Sequence, residues 1–261
     1  MKNDIYYIIE ETGKVMREAG KMMLDADRSR MKIDEKEGFA NYVTAYDHAV
    51  QEKLREALYV LMPEAVFVGE EEDAHAKIQE GYSFIVDPID GTNNFIADLR
   101  CSSVSVGLLK DAEPYAGLVY NPYEDELFTA LKGEGAFLNG ERIHVAPRPM
   151  EESIVLFGTA PYYDVRPKTE GAFSYFLEHA LDLRRFGSAA YDLCLIACGR
   201  AQMFFEYILQ PWDYAAGVLI LEEAGGKVTD MHDGPLTFSE GCSVFASASR
   251  EMNVPPEIRD A

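Results

Sequence analysis

The sequence predicts an α+β fold built in layers, and three observations carry that expectation. Apolar residues near the N-terminus recur at helical spacing, the middle of the chain reads as a long run of strands, and the part after Pro147 and Pro149 alternates strand with helix. The first two features give helices packed on a mostly antiparallel sheet. The third gives further helices packed on a second sheet.

The first helix is expected over residues 3 to about 26, because Ile5, Ile8, Ile9, Val15, Met16, Ala19, Met22 and Met23 fall on one helical face. A second helix follows near 46–61, and Pro63 ends it. Between them Asp34-Glu35-Lys36-Glu37-Gly38-Phe39-Ala40-Asn41 is charged and carries a glycine, the composition of a mobile hairpin tip or loop. Strands are expected at Ala65–Val68, Phe84–Val86, Ser103–Leu109, Ala116–Tyr120 and Glu126–Ala130, followed by a hairpin that turns at Asn139-Gly140. Beyond the two prolines the order is strand Ser153–Phe157, helix near 169–181, strand Asp182–Phe186, helix Ala189–Gly199, strand Gln202–Tyr207, helix Tyr214–Ala224 and strand Lys227–Asp230. No repeat and no low-complexity linker interrupts the chain. It is read as one unit over 1–261, with a soft division into parts 1–146 and 147–261.

Composition excludes several function classes. At 261 residues with 48% apolar content the chain can bury a sizeable core, while 45 acids against 24 bases leave a formal charge of −21. Neutralising nucleic-acid phosphates or anionic lipid needs clustered Lys and Arg, so neither partner is expected. The N-terminus lacks a signal-peptide pattern and no run approaches 18 apolar residues, which predicts a cytoplasmic protein. Cys101, Cys194, Cys198 and Cys242 show no ligand pairing and read as reduced core thiols. The five histidines are scattered, which argues against a zinc site.

The chemistry concentrates in carboxylates. Glu70-Glu71 closes an apolar strand, a second apolar run ends in Asp87-Pro88-Ile89-Asp90-Gly91-Thr92, and Trp212-Asp213 lies far downstream. Four acids from three segments suit a hard cation. Mg²⁺ takes oxygen ligands, keeps several waters and commonly shares its shell with phosphate oxygens, so a magnesium-dependent phosphatase is the reading these residues favour. Asp87 and Asp90 stand at a strand end, near enough in sequence to touch one ion or bridge two, and the Ile89 carbonyl adds a neutral oxygen. Gly91 permits close backbone approach, and Thr92 opens a short helix whose free N–H groups suit a phosphate. Each feature also has a plainer meaning. The hexapeptide is rich in turn residues, Glu70 belongs to the acidic run Glu70-Glu71-Glu72-Asp73, Asp47 and Asp213 suit helix N-caps, and Glu206 suits an exposed strand.

Taken together, these motifs resemble the inositol monophosphatase family of lithium-sensitive, magnesium-dependent phosphatases, over nearly the whole chain. The resemblance rests on Gly69-Glu70-Glu71, on the hexapeptide with Asn94-Phe95 behind it, and on Trp212-Asp213-Tyr214-Ala215-Ala216-Gly217. Lesser matches are Val43-Thr44-Ala45-Tyr46-Asp47, Gly133 to Gly140, Gly187-Ser188-Ala189-Ala190 and Glu222-Glu223-Ala224-Gly225-Gly226. It implies a layered αβαβα sandwich of the inositol monophosphatase and sugar phosphatase type, a small phosphorylated polyol as substrate, and a homodimer. It also implies a site with two or three Mg²⁺: Glu70, Asp87 and the Ile89 carbonyl for the first, Asp87, Asp90 and Asp213 for the second, and a weaker third near Glu70. Thr92 and Asp47 would activate the attacking water, with Glu70 at the catalytic centre. Asp90, Gly91, Thr92, Ala189 and Glu206 would meet the substrate.

Three positions depart from the family pattern. Asn93 stands where Thr is usual, Ala97 where His is frequent, and Asn41 where Asp is common. Relatives acting on fructose 1,6-bisphosphate or 3′-phosphonucleotides share the metal motifs, although the nucleotide branch commonly shows Lys-Glu-Phe where this chain has Asn93-Asn94-Phe95. A metal-binding interaction protein without turnover is the alternative from another class.

Overall fold

The computed structural model describes residues 4–36, 42–71, 78 and 80–259. Asn41, Glu72, Asp73 and His75 lie outside the described residues, as does most of the expected hairpin tip. The first half of the chain runs α1 (Ile5–Leu24), β1 (Ile33–Glu35), β2 (Tyr42–Thr44), α2 (Ala45–Leu61), β3 (Val66–Gly69), β4 (Tyr82–Asp90), α3 (Thr92–Ile96), β5 (Ser103–Lys110), β6 (Glu113–Asn121), β7 (Glu126–Leu131), β8 (Gly135–Leu138) and β9 (Glu141–Ile143). The second half runs β10 (Ile154–Phe157), α4 (Arg166–His179), β11 (Asp182–Arg184), α5 (Ala189–Ala197), β12 (Met203–Leu209), α6 (Pro211–Glu223), β13 (Lys227–Thr229), β14 (Cys242–Ser247) and α7 (Pro256–Arg259).

Two sheets organise the molecule. Seven strands line up as β3-β4-β5-β6-β7-β8-β9, with β3 parallel to β4 and every later neighbour antiparallel. Five more line up as β11-β10-β12-β14-β13, where β10 is parallel to both its neighbours and β14 antiparallel to both of its own. Helices α1 and α2 cover the outer face of the large sheet, where Ile8, Met16, Met23, Val50 and Leu54 share a core with Val86, Val104, Val106 and Leu118. Helices α5 and α6 fill the space between the sheets, packing Leu193, Ile196, Leu219 and Ile220 against Val119 and Phe128 on one side and Phe204 and Val244 on the other. Helices α4 and α7 close the far face, where Phe176 and Ile258 meet Phe205 and Phe245. The alternation of a strand accounts for this division, since adjacent Phe204 and Phe205 enter opposite cores. The result is the αβαβα sandwich.

Local chemistry fixes the helix starts. The Asp4 side chain accepts the Tyr6 N–H to begin α1, and Thr44 with Asp47 forms a capping box at α2. Asp47 therefore caps from the third helical position, with Thr44 as the N-cap. Several boundaries differ from expectation. Helix α4 begins at Arg166 because Pro167 is accommodated in a first turn, β12 runs on to Leu209, and α6 begins at Pro211. Strand β14 has no counterpart among the expected elements, although it lies between β12 and β13. The four thiols are unpaired, with Cys194 buried and the others half-buried. Among the described residues no helix is long and apolar enough to cross a membrane.

Helix α6 lies close on the large sheet because Gly117 has no side chain. A Cβ at Gly117 would stand 2.6 Å from the Ala216 carbonyl oxygen and 3.1 Å from its Cα, both backbone atoms that cannot swing aside. Gly117→Ala should therefore cost about 1–3 kcal/mol of stability, or roughly 2–12 °C in Tm at about 2–4 °C per kcal/mol for a chain of this length. A melting temperature within 1 °C of the unsubstituted protein, on the order of thermal-scan error, would show that α6 can move off without cost.

Candidate active site

The site forms where β4 ends. Its pairing with β5 loses register between Asp87 and Asp90, so Asp87-Pro88-Ile89-Asp90 is a bulged strand end rather than a free turn. Gly91 follows with φ at +92°, and a Cβ there would come within 2.8 Å of the Gly187 carbonyl oxygen. The close approach expected of Gly91 is therefore made to the loop that leads into α5. Asn94 secures the same junction, donating from its amide to the carbonyls of Cys101 and Phe186, each at 2.6 Å.

Asp90 is the most heavily bonded acid of the site. Its Oδ2 accepts the Ser188 hydroxyl at 2.7 Å, the Ala190 N–H at 2.9 Å and the Ser103 hydroxyl at 3.2 Å, while Oδ1 accepts the Ala189 N–H at 3.1 Å. An acid at the end of β4 thus caps the N-terminus of α5, which lies between the two sheets. Burial raises the Asp90 carboxyl to about 6 and these hydrogen bonds oppose the rise. A carboxylate offers about four acceptor positions, so the capacity Asp90 retains for a metal or a hydroxyl lies on Oδ1.

Thr92 and Asp47 meet as expected: the Thr92 hydroxyl lies 3.1 Å from Asp47 Oδ1 and 3.2 Å from the Ile89 carbonyl oxygen. Asp47 is fully buried, and its Oδ2 accepts the Thr44 N–H at 2.7 Å and the Thr44 hydroxyl at 2.6 Å. Burial raises its carboxyl and the bonds from Thr44 lower it. Oδ1 is thus the oxygen available to Thr92.

Glu70 continues the β3–β4 pairing, its N–H bonding the Val86 carbonyl at 3.0 Å, and its half-buried carboxylate takes the Lys36 ammonium at 2.7 Å. The same ammonium reaches Glu71, which is buried and held by Gln51 through its backbone N–H at 2.9 Å. The acidic run is therefore no solvated loop at Glu70 and Glu71. Asp213 occupies the third position of α6 and accepts the Gln210 N–H at 2.7 Å, so it caps from within the first turn, with Gln210 and not Asp213 as the N-cap. Glu206 sits at a bulge in β12 and is only 8% exposed, which corrects the exposed-strand alternative. Its carboxylate fills the space beside Gly158, where any Cβ would overlap it.

These acids feel one another. Asp87, 2% exposed, is raised first by burial and then by the charges of Glu70, Asp90 and Asp213, and the Glu70 carboxyl lies within hydrogen-bonding reach of it. Asp213 is raised in the same way, by burial and then by Glu70 and Asp90. Among the described residues no three side chains of His, Cys, Asp or Glu converge as a closed ligand group. The physical reason is visible in the partners each has found: Asp90 faces α5, Asp213 faces Gln210 and Glu70 faces Lys36. The donor set still fits a hard divalent cation. It is all oxygen, it brings four carboxylates, and a cation among them would relieve the repulsion that helps to raise Asp87 and Asp213.

Residues that the motifs did not indicate complete the cleft. Lys36, Glu70, Trp212 and Asp213 line its open part, which passes Glu206 and Leu209 into a recess bounded by Asp90, Thr159, Arg185, Ser188, Ala189 and Asp192. Asp192 carried a signal in hindsight, as the lone acid of the otherwise apolar stretch Ala189–Ala197. Arg185 and Thr159 carried none, since nothing in their local sequence marks them.

Glu206, raised to about 8 by burial and by Asp90 against the opposing charge of Arg185, sets the direction of the pH dependence. With Asp87, Asp90 and Asp213 also raised, the folded chain holds more protons than the unfolded one between the ordinary carboxylate range near ~4 and about 8. Stability without metal must then fall as pH rises through that window. Chelator-treated protein should melt at least about 2–4 °C higher at pH ~5.5 than at pH ~8, the shift that about 1 kcal/mol gives, and Mg²⁺ should narrow the gap. Equal or greater metal-free stability at the higher pH would contradict the buried-acid description.

Known proteins share this sequence pattern and this fold. The profile of the inositol monophosphatase family matches residues 6–256. Inositol monophosphatase 2 of Solanum lycopersicum is 39% identical over 209 residues, covering 77% of this chain and 79% of that protein. The fructose-1,6-bisphosphatase/inositol-1-monophosphatase of Aquifex aeolicus is 35% identical over 226 residues, 84% of each chain. In three dimensions the extragenic suppressor protein suhB from Bartonella henselae superposes with a TM-score of 0.84 at 30% identity, over 98% of this chain and 95% of that one. Sequence and fold agree, and the chain belongs to the inositol monophosphatase family.

Proposed function

We propose that this chain, a phosphatase by family, hydrolyses the monoester of a small phosphorylated polyol, with inositol monophosphate as the first candidate, by attack of water at phosphorus. The observation that carries the reading is one cleft with two unlike walls. Glu70, Asp90 and Asp213 form an acidic wall suited to cations, with buried Asp87 behind it and close enough for their charges to raise it, and Glu206 faces the recess beside Ala189 as an acceptor for hydroxyls.

Two or three Mg²⁺ are the cofactor this donor set would hold: Glu70, Asp87 and the Ile89 carbonyl for one, Asp87, Asp90 and Asp213 for another, with a third near Glu70. Bound there, divalent ions neutralise phosphate charge, lower the pKa of water and stabilise the leaving oxygen. The protein's own groups do the rest. The Thr92 hydroxyl, donating to Asp47 Oδ1, is free to accept a hydrogen bond from the attacking water and so to orient it. The N–H groups of Gly91 and Thr92, at the start of α3, hold phosphate oxygens in the orientation that the Gly91–Gly187 contact fixes. Asp90 Oδ1 and Glu206 accept substrate hydroxyls, and Ala189 packs against the ring. A second reading, fructose 1,6-bisphosphate, is favoured by one feature: exposed Arg185 at the rim offers a cation to a second phosphate.

Asp87→Asn should abolish turnover and leave the protein folded. A loss of about 4 kcal/mol of transition-state stabilisation is roughly a thousandfold in rate, and metal-free Tm should equal or exceed that of the unsubstituted chain because one buried repelling charge is gone. Turnover above about a tenth of normal at saturating Mg²⁺, a loss of under ~1.4 kcal/mol, would remove Asp87 from the ligand set.

Glu206→Ala should lower kcat/KM on inositol 1-phosphate by about ten- to a hundredfold, or ~1–3 kcal/mol. The loss on para-nitrophenyl phosphate, which offers no hydroxyl, should be much smaller. Equal losses on both substrates would make Glu206 a support of the acidic wall, and no loss on either would remove the polyol argument.

A further inference from the structure

Asp192 stands in the first turn of α5, where its N–H bonds the Ser188 carbonyl at 2.9 Å. Its side chain is 1% exposed, and neither carboxyl oxygen has a hydrogen-bond partner. Asp47, Asp87, Asp90 and Glu71 differ in this respect, since all four accept hydrogen bonds. A buried carboxyl without a partner is a net cost to folding, and such groups are rare outside functional sites. Tyr191, the other polar residue of this apolar helix, spends its hydroxyl on Glu126 at 2.9 Å and explains nothing about its neighbour.

The place of Asp192 gives its cost a purpose. It borders the recess that also holds Glu206, Ser188, Ala189, Thr159 and Arg185. Asp90 and Glu206 lie close enough to push its carboxyl up and Arg185 close enough to pull it down. A phosphate group would meet two acids there and is disfavoured. A cation would meet the positive charge of Arg185 at the rim. A hydroxyl suits both charge states, because a carboxylate accepts from it and a carboxylic acid donates to it. A polyol carries adjacent hydroxyls that can reach two acids at once.

We infer that Asp192 is a specificity-determining residue of the recess, bonding a substrate hydroxyl other than the one bonded by Glu206. This inference rests on the polyol-ester reading above. Arg185, whose Nε donates to the Thr159 hydroxyl at 3.1 Å, holds the rim charge that lets two acids face one small molecule.

The test is Asp192→Asn in the full chain with Mg²⁺, with kcat/KM measured on inositol 1-phosphate and on para-nitrophenyl phosphate. The loss on inositol 1-phosphate should exceed that on the aryl ester at least about tenfold and fall mainly in KM, with an unchanged or raised Tm. Equal losses on both esters, or none on either, would overturn the inference. If the unsubstituted protein hydrolyses the aryl ester and never the inositol ester, the polyol reading fails and takes this inference with it. If it hydrolyses both and Asp192→Asn loses equally, only the inference fails. Should the variant not fold, the unsubstituted protein on mono-deoxy inositol phosphates decides, because Asp90, Glu206 and Asp192 each bonding a hydroxyl requires a loss of about tenfold or more at three different positions, and losses at fewer positions would overturn the inference. Indifference to every single deoxygenation would overturn the inference.

Discussion

Asp90 is the joint on which the cleft depends. It ends the strand that carries Asp87, and its two oxygens receive four donors, three of them from the start of α5 and one from β5. An anion at a helix N-terminus meets unsatisfied N–H groups and the positive end of the helix dipole, so the arrangement is favourable where another buried acid would not be. One side chain thereby sets the distance between the acidic wall and the recess. The Gly91–Gly187 contact and the bonds from Asn94 brace the same junction from its other side, and both require the backbone to come close.

The remaining acids pull against the fold. Asp87, Asp192, Asp213 and Glu206 are all raised from the ordinary carboxylate range, with burial as the first cause each time. Few cations stand by: Lys36 at Glu70 and Glu71, and Arg185 at the recess. A sequence chosen for stability alone would replace such acids with apolar residues of like volume. Their retention in a core this well packed is the strongest sign that the cleft serves chemistry, because the three hydrophobic layers around it supply the stability that the site consumes.

The layers were legible in the sequence because their periodicities are. Alternating apolar residues gave β5, β6 and β7, and the helical stripe of Ile8, Met16 and Met23 gave α1. Strand β14 was not legible. Cys242-Ser243-Val244-Phe245-Ala246-Ser247 is short and rich in small residues, and its place between β12 and β13 is fixed by non-local pairing. The site divides in the same way. Asp87, Asp90 and Thr92 stood out because motif and strand end coincide, and Asp47 only through the family resemblance, whereas the bonding that turns Asp90 toward α5 joins residues about a hundred positions apart and has no local trace. Glu70 was recognisable only together with the other segments. Its partner Lys36 lies in a stretch that composition describes merely as charged.

An overall charge of −21 and a phosphate substrate seem opposed until the two walls are separated. Screening in water limits the reach of distant surface charge to about 8–10 Å, so the field inside the cleft is set by the groups that line it and by the ions they hold. The acidic wall is the half that cations can reverse, and with two or three divalent ions it becomes the attractive one. The recess keeps its own acids and stays closed to a second unscreened anion except at Arg185. On the proposed reading phosphate is thus directed to one wall and hydroxyls to the other, and the orientation of the ester would follow from charge before any close contact is made.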